Sequence, residues 1–374
     1  MKILFVATVR SHIGQFHMPF IQYLVAQGHE VHAAFKDNSK DKKGLDLSGI
    51  SKTFEIPFER SPLRKNNITA YKELKKVIYN GNYDIIHCHT PMGAVITRLA
   101  AIKARNNGTK VYYTAHGFHF FKGAPKHYWM MFYPVEKLLA HFTDCLILIN
   151  DEDYRLVTRK HFKAKKIVKT HGVGVDINKF NNMLFDDKTQ LRKKMGFPED
   201  MFALIYPADL SDRKNQDMLF KTVALLKNKI PEIILLLPGQ PIKLEEYKKI
   251  CYDYGIEENV VFLGYRRDIP ELLAISDISV SSSRQEGLPI NLVEAMSMKK
   301  PIIATRVRGN EDLVVNGKGG YLITLNDSET MSEKILYLYE NRELLSQMGV
   351  FNKKNAELFS VENVITELSE VYGI

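Results

Sequence analysis

Short β-branched runs alternate with longer amphipathic stretches along nearly the whole chain, and the alternation occurs twice. KILFVAT, EVHAAF, DIIHCH, KVYYTA and CLILIN read as strands, separated by stretches of helical period such as FHMPFIQYLVAQG, which ends in a C-cap glycine at Gly28. After a polar stretch around NNMLFDDKTQ the rhythm restarts. FALIYP, EIILLLPG, NVVFLG, ISVSSS and PIIATR then read as strands, with helices near residues 215–229, 242–255 and 289–299. This is the pattern of β-α-β units, whose crossovers return the chain to the same end of a sheet and so make its strands parallel. The fold class expected is α/β, two Rossmann-like domains facing each other across a cleft. The boundary falls near residues 172–185, where GVGVDINKFNN supplies connector glycines and asparagines. Residues 1–175 form the N-terminal domain and 176–356 the C-terminal one, while a final helical pattern within about 357–374 is a candidate to pack back on the first. Ligands of open parallel sheets bind outside the carboxyl ends of the strands, so chemistry is sought in the strand-following loops.

Charge divides as sharply as the strand series. Residues 1–180 hold 28 Lys and Arg against 14 Asp and Glu, a net of +14, whereas residues 181–374 hold 24 against 29, a net of −5. All 12 histidines lie between His12 and His171. A basic first half fits an anionic partner, whether a phosphorylated substrate, an acidic membrane surface or a nucleic acid. A solvated basic surface is the plain alternative. Nucleic acid is disfavoured, because no helix-turn-helix, zinc-finger or RNA-recognition signature is present. Cys88, Cys145 and Cys251 are odd in number and widely spaced, which excludes a disulfide framework and fits a reducing cytosol. MKILFVATVR reads as a first strand rather than a signal peptide, since no small-residue cleavage site follows. No run approaches the roughly 20 apolar residues that span a bilayer, so any membrane contact is peripheral.

The first strand-following loop, VRSHIG, holds His12 and one glycine, Gly14, and lacks the spacing of a dinucleotide fingerprint. In the strand containing His87, Cys88 and His89, the two histidines share a face and the cysteine takes the other. With no further ligand at metal spacing, they read as polar residues of core or cleft, and no metal is expected. KVYYTA runs into His116 and Gly117. That histidine either points into the cleft or is satisfied by a loop carbonyl. His119, Lys122, Lys126 and Trp129 lie in a segment dense in aromatics, which suits either an anionic membrane interface or an aromatic core helix. Arg213 and Lys214 follow the strand FALIYP and precede a helix, where dipole and free amides add to their charge. In SSSRQEGLPINLVEAM a strand ends in serines, Glu286 and Gly287 take the turn, and Pro289 can start a helix carrying Glu294. The amides of Gly287, Leu288 and Ile290 would receive an anion there, while the two carboxylates suit hydroxyl groups. A diphosphate between two polyhydroxylated rings, a nucleotide sugar, fits that arrangement.

EGLPINLVE, from Glu286 to Glu294, resembles the acidic motif of the retaining family-4 glycosyltransferases of the GT-B fold, and PIIATRVRGNEDLV with GKGGYLI resembles its continuation. The resemblance extends over nearly the whole chain through QFHMPFIQYLVAQGHEV, TAHGFHFF, GVDINKF and RKNQ. HTPMGAVITRLAA and AHGFHFFKGAP narrow it to bacterial enzymes of capsule, exopolysaccharide or O-antigen assembly. The resemblance implies a donor site made by Gly14, Arg213, Lys214, Glu286, Gly287, Leu288, Pro289, Ile290 and Glu294. Arg213 and Lys214 would meet the diphosphate, Glu294 the ribose, and Glu286 and the amides after it the transferred sugar. On the same resemblance His116 and Glu286 would be the catalytic residues, and His12, His119, Lys122, Lys126 and Trp129 would lie toward acceptor and membrane. Where the family often has Gly-Arg, this chain has Ala208 and Asp209, and a carboxylate there cannot bind phosphate.

The expected reaction is retaining transfer of a hexose or N-acetylhexosamine from a UDP-sugar to a lipid-diphosphate-linked saccharide, without metal or other cofactor. The enzyme would act at the inner face of the cell membrane. The alternatives are a nucleotide-sugar epimerase of the same fold and, more remotely, a nucleic-acid-binding protein.

Overall fold

The computed structural model describes residues 1–40, 44–181 and 187–374. Residues 182–186, within the polar stretch between the two strand series, therefore lie outside the described residues. The chain divides into two units, one of Met1–Gly174 with Val361–Ile374, the other of Val175–Ser360.

The first unit is built on a seven-stranded parallel sheet: β1 (Lys2–Val9), β2 (Glu30–Lys36), β3 (Lys52–Glu55), β4 (Ile85–His89), β5 (Lys110–Ala115), β6 (Cys145–Leu148) and β7 (Lys166–Lys169). Their spatial order is β3-β2-β1-β4-β5-β6-β7, so the winding reverses between β1 and β4. The central strands β1, β4 and β5 are buried along nearly their whole length because helices cover both faces. On β1, Leu4 and Val6 enter one core together with Ile86 and Cys88 of β4. Ile3, Phe5 and Ala7 enter the other, which is closed by Ile21 and Leu24 and by Val364, Leu368 and Tyr372 of the last helix, Val361–Tyr372. That helix is a working part of the first unit, since Tyr372 Oη meets His87 Nδ1 at 2.7 Å.

The second unit repeats the plan with β8 (Phe202–Ile205), β9 (Ile233–Pro238), β10 (Val260–Gly264), β11 (Ile278–Ser281), β12 (Ile302–Thr305) and β13 (Gly320–Ile323), ordered β10-β9-β8-β11-β12-β13. Winding reverses between β8 and β11. Gly239, just past β9, is fixed by close approach: a Cβ there would stand 1.9 Å from the carbonyl oxygen of Ala208.

Two features differ from the sequence reading. β3, β7 and β13, which it does not count as strands, all lie at sheet edges, where a strand has one neighbour and needs no continuous apolar run. VRSHIG is not a loop, because the helix Arg10–Phe16 starts directly after β1. Gly14 thus sits inside a helical turn, where a Cβ would stand 3.0 Å from Leu45 Cβ, so its small size is needed for packing.

Candidate functional site

In the second unit the candidate residues gather where the winding reverses, on the loops after the paired strands β8 and β11. Three bonds staple these loops together. Arg284 N donates to Arg213 O at 2.9 Å, Ser282 Oγ to Lys214 O at 2.9 Å, and Asn215 Nδ2 to Ser282 O at 3.1 Å. Held this way, Glu286 is buried and takes Lys214 Nζ at 2.6 Å and Ser283 Oγ at 2.5 Å on Oε1, and Arg213 Nη1 at 3.2 Å on Oε2. Burial alone would push the Glu286 carboxyl up, but Lys214 and Arg213 outweigh it and hold the group below the ordinary carboxylate range. Two cations on one carboxylate leave an excess positive charge beside the helix Ile290–Ser297, which starts after Pro289 and whose first amides lack partners within the helix. The Arg213 side chain is 48% exposed and that of Lys214 only 11%. Lys214 is therefore the enclosed cation, and Arg213, held by Glu286 and by Gln285 O at 3.2 Å, the one more open to an incoming anion.

The sequence reading assigned the two cations to diphosphate and Glu286 to sugar as separate contacts. In the structure the three form one ion-paired group, so an anion arriving at the cations must share them with Glu286. Asp209 stands aside from this group, accepting from Gln240 N at 3.4 Å. Glu294, eight residues after Glu286, has its carboxyl pushed up to about 7 by burial, against a smaller lowering from Lys179. A carboxyl that costs this much to ionise gains most from hydroxyl donors that satisfy its oxygens.

Three residues here have no role in the sequence reading. Arg308 is buried and donates from Nε to Glu286 O at 2.9 Å, fixing the turn from behind. Its neighbour Gly309, at φ +82°, lies so close that a Cβ would come 2.7 Å from Gly287 O. Asn291 Nδ2, on the first turn of the helix, is buried without a partner among the described residues. Only the Arg-Gly pair in VRGNEDLV was a signal, because an arginine before a glycine suits a tight approach. Asn291 had none.

The first unit gathers its candidates at its own reversal point. His12 lies on the helix after β1, His17 between that helix and the next (Met18–Ala26), His89 at the end of β4, and His116 just after β5. One nitrogen from each lies within 4.8 Å of those of the others. His17 and His89 stack with ring centroids 3.8 Å apart, and His116 Nε2 stands 3.3 Å from His89 Nδ1. Burial drives His116 down to about 4 and the other three well below their ordinary value, so all four are neutral near pH 7. His87 differs, being satisfied on both nitrogens by Tyr372 and Thr114, each at 2.7 Å. Sequence spacing gave no sign of this four-histidine cluster, because its members come from three separate β-α connections. Gly117 takes φ +120°, which glycine alone adopts readily, and turns the chain away after His116. The loop beyond is pinned by Phe118 N to Asp153 Oδ2 at 3.0 Å and Lys122 N to Glu152 Oε1 at 2.6 Å.

The aromatic segment forms the helix Lys126–Leu139. Trp129 turns inward: its ring packs on Phe120 and Tyr133, and its Nε1 donates to Phe121 O at 3.3 Å. The i, i+4 pair Trp129 and Tyr133 thus packs against the core on one side while both rings stay half-buried. His119 likewise stacks on Phe132, at 4.6 Å. Met130, Met131, Val135 and Leu138, which have no role in the sequence reading, are the exposed large apolar residues of this helix, with Lys122 and Lys126 exposed nearby. Among the described residues no helix is long and apolar enough to cross a membrane.

Known proteins share this sequence and architecture. The family model described as "Glycosyl transferase 4-like" matches residues 2–150, and that described as "Glycosyl transferases group 1" matches residues 187–355. EpsD of Bacillus subtilis (strain 168), named as a glycosyltransferase, is 42% identical over 372 residues, covering 100% of this chain and 96% of that protein. The UDP-Gal:α-D-GlcNAc-diphosphoundecaprenol α-1,3-galactosyltransferase of Escherichia coli is 27% identical over 314 residues, covering 82% of this chain and 79% of its own. Among solved structures, Anabaena HepE in complex with UDP and glucose superimposes with a TM-score of 0.81 at 22% identity, covering 100% of this chain and 99% of that one.

Proposed function

The chain belongs to the family-4 glycosyltransferases of the GT-B fold, and on that footing we propose that it transfers a hexose or N-acetylhexosamine from a UDP-sugar to a lipid-diphosphate-linked saccharide in surface polysaccharide synthesis, with retention at the anomeric carbon. The observation that carries this reading is the group Arg213–Glu286–Lys214 beside the N-terminus of the helix that bears Glu294. It offers positive charge for a diphosphate and carboxylates for hydroxyls within one short stretch. The names of relatives support the class of substrate: one acts on GlcNAc-diphosphoundecaprenol, and another, from Campylobacter jejuni, on N,N'-diacetylbacillosaminyl-diphospho-undecaprenol.

As the bond from the anomeric carbon to the diphosphate breaks, negative charge collects on the departing phosphate. Lys214 and the more exposed Arg213, both held by Glu286, meet that charge together with the helix amides, and fixed donors of this kind contribute a few kcal/mol each. With cations in that role, no divalent ion is needed at the phosphates. Glu286 holds sugar hydroxyls as a carboxylate, and neutral His116 both accepts and donates a hydrogen bond without adding charge. The acceptor hydroxyl attacks from the face that the diphosphate leaves, and the leaving phosphate oxygen takes its proton. The first unit, with its basic excess and the exposed Met130, Met131 and Leu138, meets the anionic membrane surface where the acceptor resides.

The test is a panel of UDP-sugars with the purified protein, read by thermal shift and by UDP release on adding a lipid-diphosphate saccharide, with and without EDTA. One donor should stabilise the protein and release UDP only with acceptor, and EDTA should not lower the rate. Conversion of the donor without acceptor, or a strict need for Mg²⁺ or Mn²⁺, would overturn the reading.

A further inference from the structure

We propose that His12, His17, His89 and His116 form a binding site for one divalent transition-metal ion of the zinc class. The site stands on the geometry of the first unit and not on the transferase reading.

Four histidines delivered by the carboxyl ends of β1, β4 and β5 place one nitrogen each within a 4.8 Å span. Tetrahedral zinc–imidazole bonds of about 2.0–2.1 Å require donors about 3.3 Å apart, so each donor has to move inward by on the order of 1 Å or less. His116 Nε2 and His89 Nδ1, 3.3 Å apart, share a hydrogen bond, which a metal ion bound to either atom would replace. The second observation is that ring nitrogens here are buried with nothing to bind. His17 is 7% exposed and His89 1%, and the Nε2 atoms of His12, His17 and His89 have no hydrogen-bond partner among the described residues. His87, in the same strand as His89, shows the contrast. With both its nitrogens engaged at 2.7 Å it is a structural histidine, whereas His12, His17 and His89 each keep one ring nitrogen without a hydrogen-bond partner among the described residues. Buried nitrogens are ordinarily paired, and a metal ion satisfies several at once.

The chemistry of the set selects the ion. Imidazole suits zinc, cobalt, nickel and copper, whereas magnesium and calcium need oxygen ligands, and the cluster consists of four imidazoles with no carboxylate among the described residues. Neutral ligands leave the ion's charge uncompensated, and His12 and His116 are only half-buried, so a hydroxide or other anion has room to join on that side. Because the ion would take His116 from the role proposed for it at the sugar, a loaded site should inhibit transfer. That consequence alone rests on the proposed function.

The experiment uses the full chain without a polyhistidine tag, stripped with EDTA, desalted and titrated with Co²⁺. One ion per chain should give an intense visible d–d spectrum of nitrogen-ligated, low-coordinate cobalt, displaced by one equivalent of Zn²⁺. His12→Gln and His17→Gln should each weaken binding at least about tenfold, while His127→Gln, in the exposed part of the aromatic helix, should leave it unchanged. Circular dichroism and the unfolding midpoint without metal show that each variant is folded. His12→Gln, on a half-exposed position, keeps the test open if His17→Gln does not fold. Absence of the spectrum, less than one ion per chain, or unchanged affinity in folded His12→Gln overturns the site, whatever the transfer assay reads.

Discussion

Replacing Glu294 by Gln should make the protein more stable and a poorer binder of UDP, and the two effects should depend differently on pH. The Glu294 carboxyl titrates at about 7 in the fold against an ordinary 4.5, with burial as the main cause. Between those values the unfolded chain loses the proton while the native one keeps it. Stability therefore falls as pH rises from 4.5 through 7 and reaches its full loss above 7. A pKa difference of about 2.5 corresponds to roughly 3 kcal/mol at about 1.4 kcal/mol per pH unit. Partial exposure of the side chain reduces this to about 1–3 kcal/mol. Gln has nothing to ionise, so Glu294→Gln should exceed the native protein by that amount in urea unfolding at pH 8 and match it near pH 4.5. UDP affinity should move the other way. Hydroxyl bonds to a charged acceptor contribute about 1.5–3 kcal/mol, so calorimetry at pH 8 should show binding weakened by about ten- to a hundredfold. In the native protein UDP should bind more tightly at pH 8 than at pH 6, and in the variant only the part due to ionisation of UDP's own terminal phosphate should remain. Equal stability at pH 8 would refute the burial argument, and unchanged UDP affinity would remove Glu294 from the nucleotide.

Three further outcomes follow from other parts of the molecule. Glu286→Gln frees Lys214 and Arg213 from their carboxylate, so UDP should bind as tightly or more so while turnover falls at least about a hundredfold; normal turnover would take Glu286 out of the site. Glu136→Ala leaves Arg98, 1% exposed and 2.8 Å from the lost carboxylate, charged and unpaired. That change should cost about 3–5 kcal/mol in denaturant unfolding, and Arg98→Met with Glu136→Leu should recover most of it. Cosedimentation with anionic liposomes should be strong at low salt, weaker as salt rises, and reduced in Lys122→Glu with Lys126→Glu; equal binding to neutral liposomes would refute an electrostatic dock.

The central strands were legible because burial on both faces imposes a run of apolar residues, as in KILFVAT and EIILLLPG, and a run survives in one dimension. Edge strands leave a weaker trace. KTFE and KIVK pair on one side only and stay largely exposed, so nothing in their composition separates them from loops. Glu286 and Glu294 were legible for a different reason: a turn, a proline and a helix start fix their spacing locally. For Trp129, an aromatic beside lysines reads alike on either face of a helix, and only the packing on Phe120 and Tyr133 shows which side of its ring meets the core.

The sequence by itself determined the two α/β units, the motif that names the family, and the split of charge between +14 and −5. Each of these is written in neighbouring residues or in simple counts. Only the tertiary structure decided that Arg213, Lys214 and Glu286 are one ion-paired group, and that four histidines meet at the end of the first sheet. Parallel strands that follow one another in the chain need not be adjacent in the sheet. The reversal of strand order between β1 and β4, and between β8 and β11, brings together loops that lie some 70–80 residues apart in the sequence. The side chains on those loops acquire their partners from that arrangement, and no local spacing records it.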